Sequence, residues 1–78
     1  MIVTKDERKF LVDELVRWAA KEKRDKEVSK QLKTKSARKA ALESKFCVCE
    51  AEYILRIMCG EEAVTEAYKR AQELLGAV

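Results

Sequence analysis

Residues that favour tight turns are almost absent from this 78-residue chain. Proline does not occur, and glycine occurs only at Gly60 and Gly76. A β-rich domain needs turn residues every few positions, because each strand must reverse direction within a short loop. The sequence therefore predicts a single all-α domain over 1–78, with Gly60 and Gly76 at helix ends, where a left-handed backbone is common.

Apolar periodicity divides the chain into three predicted helices. Helix one is predicted over about 4–24, where Thr4 and Glu7 have the spacing of a capping box. A basic connector is predicted over about 25–35, helix two over about 36–59 and helix three over about 61–75. No Gly or Pro marks the end of helix one, so the alternative to a break within 25–36 is one long, bent helix.

Helix two has an apolar arc that covers well over half of its circumference. Phe46, Ile54 and Ile57 surround Glu50 on one face, and a second apolar face adjoins it. A surface helix needs an apolar arc of only about 100°. We therefore expect an antiparallel three-helix bundle with helix two at its centre. We expect the bundle to associate further as a homodimer or higher oligomer, with Phe46, Glu50, Ile54 and Ile57 in the interface.

Glu50 is the one polar residue within that apolar face. A buried carboxylate without a partner costs several kcal/mol, so Glu50 must pair with a cation, become neutral or reach solvent. The candidate partners are Arg17, beside the apolar stripe of helix one, and a basic residue of a second subunit.

Helix three has a narrower apolar stripe that contains small residues at regular spacing. Ala63, Ala67 and Ala71 recur every four residues, so they lie on one side of the helix. Small side chains at this spacing allow another helix to approach closely. We expect this stripe to pack inside the bundle.

Positive charge is concentrated in the middle of the sequence. Residues 21–45 contain ten Lys or Arg and four Asp or Glu, whereas residues 46–78 contain three basic and six acidic residues. No acidic residue occurs between Val28 and Leu42, and the cations there are Lys30, Lys33, Lys35, Arg38 and Lys39. These five residues are candidates for contacts with phosphates or with a protein partner. The alternative is a solvated connector, because the segment has no aromatic residues on which bases could stack.

Residues that support catalysis or metal binding are scarce. The chain has no His, and Cys47, Cys49 and Cys59 form no C-x-x-C pair. No glycine-rich phosphate loop occurs, and adjacent carboxylates such as Asp13 and Glu14 point about 100° apart on a helix. We predict a non-enzymatic protein without a metal or other cofactor. We also expect no intrachain disulfide. Cys47 and Cys49 lie on different sides of a helix, and Cys47 and Cys59 are about 18 Å apart along it, whereas a disulfide needs Cα atoms within about 7 Å.

The sequence also indicates where the protein resides and what it contacts. An odd number of cysteines without an apolar leader is typical of a reducing compartment, so we predict a cytoplasmic protein with no membrane association. The predicted function is binding or regulation through protein–protein docking of helical faces, with the protein itself and another protein as partners. The alternative is nucleic-acid or nucleotide binding through the basic segment 28–42, or binding of another anionic ligand there.

Overall fold

The computed structural model describes residues 3–76, which form three α-helices. Helix α1 comprises Lys5–Leu32, α2 comprises Lys35–Cys59 and α3 comprises Glu61–Gly76. The predictions of an all-α fold and of helices that pack against one another are confirmed. Among residues 3–76, no helix combines the length and the apolar character that a membrane span requires.

Helix α1 begins with the predicted capping box. The Thr4 hydroxyl accepts a hydrogen bond from the Glu7 amide at 3.1 Å, and the Glu7 carboxylate accepts one from the Thr4 amide at 3.3 Å. These bonds satisfy two amides that have no carbonyl partner at a helix start. The sequence therefore identifies the start of α1 correctly.

The basic connector predicted over 25–35 is wrong, because helix continues through most of it. Helix α1 runs to Leu32, and α2 already begins at Lys35. Ion pairs one helical turn apart lie at the start of this extension: Lys21 lies 2.8 Å from Asp25, and Lys26 lies 3.7 Å from Glu22. Such pairs stabilise a helix that no Gly or Pro interrupts.

The two helices are separated by Lys33 and Thr34 alone. Lys33 adopts a left-handed conformation with φ 53°, and its amide donates to the Ser29 carbonyl at 2.9 Å. Thr34 then caps α2 by accepting a hydrogen bond from the Ala37 amide at 3.1 Å. The break therefore lies inside the predicted window of 25–36, but it occupies two residues rather than a long connector.

The central helix is α1, so the prediction that helix two is central is wrong. Helix α1 packs extensively against both other helices, whereas α2 and α3 touch each other over a smaller area. The buried residues of α1 are Val12, Leu15, Val16, Ala19 and Ala20. At about 100° per residue they cover an arc of about 140°, which is wide enough for two neighbours.

Helix α2 contributes a much narrower stripe to the core. Its buried residues are Ala37, Ser44, Val48 and Leu55, and they lie within about 40° of one another around the helix. We call these four residues the inner face of α2. Helix α3 contributes Ala63, Val64, Ala67 and Ala71, so the predicted alanine stripe is buried. The wide apolar arc of α2 is therefore covered on one side only.

Candidate functional site

Large apolar side chains lie on the side of α2 that faces away from the core. They are Leu42, Phe46, Tyr53 and Ile57, whose exposed fractions are 53%, 65%, 64% and 63%. All four lie within about 40° of Phe46 around the helix, on the side opposite the inner face. We call these four residues the outer face of α2. An exposed apolar patch on a helix marks a surface that other molecules cover.

The residues predicted for the oligomer interface all lie on this exposed side of α2. Phe46 and Ile57 belong to the outer face, Glu50 is exposed at its edge, and Ile54 is 40% exposed beside it. Glu50 forms no ion pair within residues 3–76, and its predicted partner Arg17 instead lies 2.5 Å from Glu14. Of the three outcomes expected for Glu50, the structure shows the third, because its carboxylate is exposed to solvent, and the candidate partner Arg17 pairs with Glu14.

Leu42 and Tyr53 were not identified from the sequence. A helical projection centred on Phe46 would have included both, because they lie about 40° and 20° from it. The apolar face predicted from the sequence is centred on Glu50 and does not include Tyr53, although Tyr53 lies only about 60° from Glu50. The spacing of Leu42 and Tyr53 therefore indicated the outer face. The sequence alone does not show which side of α2 the neighbouring helices cover.

A shallow groove between α1 and α2 borders the outer face. Phe10, Leu11 and Trp18 from α1 line it, together with Ile54 and Glu50 from α2, and its volume is about 260 Å³. Phe10 is 63% exposed at its rim. The Trp18 indole donates a hydrogen bond to Glu14 at 3.3 Å, and the Arg17 guanidinium lies 5.8 Å from its ring centroid.

A buried polar cluster joins the middle of α1 to α2. Ser44 is 1% exposed, and its hydroxyl donates to Asp25 while it accepts from the Lys21 ammonium at 3.2 Å. Lys21 also donates to Asp25 at 2.8 Å. The hydrogen bonds from Lys21 and then Ser44 hold the pKa of Asp25 below its ordinary value. This closed arrangement is structural, since every member is satisfied internally.

A second polar cluster links α2 to α3 through side-chain hydrogen bonds. The Tyr68 hydroxyl donates to Glu52 at 2.5 Å, and Arg56 donates to Glu52 at 3.1 Å and to Glu61 at 2.5 and 3.1 Å. Partial burial, and then the bond to the Glu52 carboxylate, raises the pKa of Tyr68. The bonds from Arg56 lower the pKa of Glu61. Glu52 and Arg56 are four residues apart, so their ion pair also links successive turns of α2.

Five cations surround the turn between α1 and α2. Lys30, Lys33, Lys35, Arg38 and Lys39 are all exposed, and none of them forms an ion pair within residues 3–76. We call these residues the basic turn. No residue of α1 after Ala20 is buried, so the basic turn lies beyond the part of α1 that packs in the core. Unneutralised cations at one end create a positive potential that attracts anions.

The cysteines and carboxylates form no recognisable reactive centre. Cys47, Cys49 and Cys59 are free thiols, and only Cys49 is exposed. Within residues 3–76, no three His, Cys, Asp or Glu side chains lie close enough together to hold a metal ion. Within residues 3–76, the outer face of α2 is a distinctly apolar exposed surface and the basic turn is a distinctly cationic one.

Comparisons of this chain with protein-family models, with curated proteins and with solved structures found no match.

Proposed function

We propose that this protein is a non-enzymatic docking protein that binds a helical surface of another polypeptide chain through the outer face of α2. The observation that carries this proposal is the position of four large apolar side chains opposite the core. Burial of each such side chain contributes about 1.5–3 kcal/mol when a partner covers it. The polar clusters on the other side of α2 keep this helix in place whether or not a partner is bound.

The proposal includes the arrangement of the helices and the setting in which they work. Arg8 lies 3.0 Å from Glu66 and Asp13 lies 3.1 Å from Arg70, so contacts advance in the same direction along α1 and α3. This progression supports an up-down-up bundle in which α2 runs antiparallel to both neighbours. Three free thiols support a reducing, cytoplasmic setting.

A matched pair of phenylalanines tests the docking proposal. Phe46 and Phe10 have exposed fractions of 65% and 63%, but only Phe46 belongs to the outer face. Wild-type, Phe46→Ser and Phe10→Ser chains would be immobilised, and proteins retained by the wild type would be purified and titrated by calorimetry. We expect Phe46→Ser to weaken binding by about 10-fold or more and Phe10→Ser to leave it nearly unchanged. Equal affinities for all three chains would contradict the proposal.

A second candidate function is the binding of nucleic-acid phosphates by the basic turn. The observation that favours it is the exposure of five cations without ion-pair partners in residues 3–76. Replacing Lys30, Lys33 and Lys35 with Gln should weaken binding to duplex DNA and reduce the salt slope by about 0.9 for each lost phosphate contact. Fluorescence anisotropy at several salt concentrations measures both. An unchanged affinity and slope would exclude this function.

A further inference from the structure

The outer face of α2 has a symmetric sequence pattern. The four residues of the outer face, from Leu42 to Ile57, are aliphatic, aromatic, aromatic and aliphatic, and their spacing is the same when read in either direction. Ile54, which is 40% exposed, lies about 80° from Phe46 and is not part of this pattern. The centre of the pattern lies between Cys49 and Glu50. A helix with such a pattern can pair with an inverted copy of itself, so that each side chain meets one of the same class.

The charges at the two ends of this face are opposite in sign. Lys35 and Lys39 continue the stripe toward the start of α2, whereas Glu61 and Glu62 follow its end. Neither Lys35, Lys39 nor Glu62 forms an ion pair within residues 3–76. A parallel pair of α2 helices would bring four lysines together. An antiparallel pair would instead place each lysine pair beside the partner's carboxylates, which is electrostatically complementary.

We infer that the occupant of the outer face is a second copy of this chain, bound in an antiparallel α2–α2 interface around a two-fold axis between Cys49 and Glu50. This inference rests on the proposed docking function and names its partner. Phe46 of each copy packs on Tyr53 of the other, and Leu42 packs on Ile57. An interface in which the same patch serves both subunits is the usual form of a symmetric dimer. The two Phe46–Tyr53 pairs lie near the axis of the interface, and aromatic pairing there favours this alignment over one in which the two helices are shifted along each other.

The first test measures the oligomeric state by sedimentation equilibrium over micromolar to submillimolar concentrations. We expect the wild type to dimerise, and Phe46→Ser to raise the dimer dissociation constant by about 10-fold or more. Phe10→Ser should dimerise like the wild type. Circular dichroism confirms that each variant keeps its helix content, which is expected because both side chains are exposed. A monomeric wild type, or a Phe46→Ser chain that dimerises normally, would overturn the inference.

The second test determines the direction of the two helices. In a chain whose three native cysteines are replaced by Ala, Lys39→Cys alone would be compared with Lys39→Cys combined with Glu62→Cys. Antiparallel pairing predicts an intermolecular disulfide in the double variant and none in the single variant. A disulfide in the single variant indicates parallel helices, and a double variant that stays unlinked excludes this register; either result overturns the antiparallel interface.

Glu50 offers a third measurement, because it lies beside the two-fold axis in each copy. Two facing carboxylates repel each other, so Glu50→Gln should strengthen the dimer by a few-fold. A weaker dimer would show that Glu50 contacts a cation of the partner, which the proposed register does not allow. If the wild type is monomeric yet another protein binds it through Phe46, the second-copy inference fails while the docking function stands.

Discussion

The inner and outer faces of α2 belong to the same helix, but the inner face packs in the core and the outer face is exposed to solvent. The inner face comprises Ala37, Ser44, Val48 and Leu55 and is buried against the other helices. The outer face contains the larger side chains, and each is more than half exposed. In most small domains the largest apolar residues of a helix are the ones that hold the fold. On α2 the buried face contains no aromatic residue, whereas both aromatic residues of the outer face, Phe46 and Tyr53, are exposed and available for association.

This difference shows that stability and association are separable in this protein. Substitutions on the inner face should change the free energy of unfolding and leave the isolated surface intact. Substitutions on the outer face should change affinity for a partner and leave the folded monomer intact. Substitutions at matched residues on the two faces can test whether stability and association are separate in this way.

The largest expected effect compares two leucines on opposite sides of α2. Leu55 is fully buried and Leu42 is 53% exposed. Leu55→Ala should reduce the free energy of unfolding by about 2–5 kcal/mol, because it removes a side chain from the core and leaves a cavity. Leu42→Ala should change it by less than about 0.5 kcal/mol in the monomer. Urea denaturation at low protein concentration measures the free energy of unfolding of both variants. Similar losses of stability in the two variants would contradict the proposed difference between the inner and outer faces.

A smaller effect is expected at Ser44, the polar member of the inner face. Ser44→Ala removes its hydrogen bonds with Asp25 and Lys21 and should cost about 1 kcal/mol. Ser36 is exposed on the same helix and provides the control, since Ser36→Ala should cost a few tenths of a kcal/mol at most. Thermal unfolding distinguishes the two. A neutral Ser44→Ala would show that the buried cluster contributes nothing to stability.

The smallest expected effect is a dependence on pH that arises from Asp25. Because its pKa is lower in the folded state, the contribution of Asp25 is fully present above its unfolded pKa of about 4. That contribution is lost as the pH falls through the lowered value. Stability measured between pH 2 and 6 should therefore fall less steeply for Asp25→Asn than for the wild type. Identical slopes would show that other carboxylates account for acid unfolding.

The sequence predicted those features of the fold that depend on local chemistry. Thr4 and Glu7 indicated the start of α1, Gly60 indicated the end of α2, and the alanine stripe of α3 indicated a buried face. The capping box and Gly60 act within a few residues of a helix end, whereas the alanine stripe indicated a buried face through its regular spacing. The extension of α1 to Leu32 was missed because the buried apolar stripe of α1 ends at Ala20, and the helix beyond it does not continue that spacing.

The sequence did not show which helix is central, because apolar width does not determine where neighbours pack. The arc of α2 is wider than that of α1, yet α1 lies between the other two helices. Val16 and Ala20 are small enough to allow α3 to approach α1 closely, which a projection of α2 alone cannot reveal. The candidate interface residues Phe46, Glu50, Ile54 and Ile57 were predicted as one group, but their exposure required the tertiary structure.

The turn at Lys33 and Thr34 allows α2 to pack on α1 of the same chain. If this turn straightened, α1 and α2 would form one rod of about 55 residues, roughly 80 Å long. Two rods could then exchange their second halves and rebuild the same core in a domain-swapped dimer. The left-handed backbone of Lys33 favours this exchange, since it costs about 1–2 kcal/mol that the rod would recover. The Thr34 cap opposes this exchange, because a continuous helix would lose the hydrogen bond from the Ala37 amide to the Thr34 hydroxyl. Lys33 and Thr34 therefore have opposite effects on the balance between a monomer and a domain-swapped dimer.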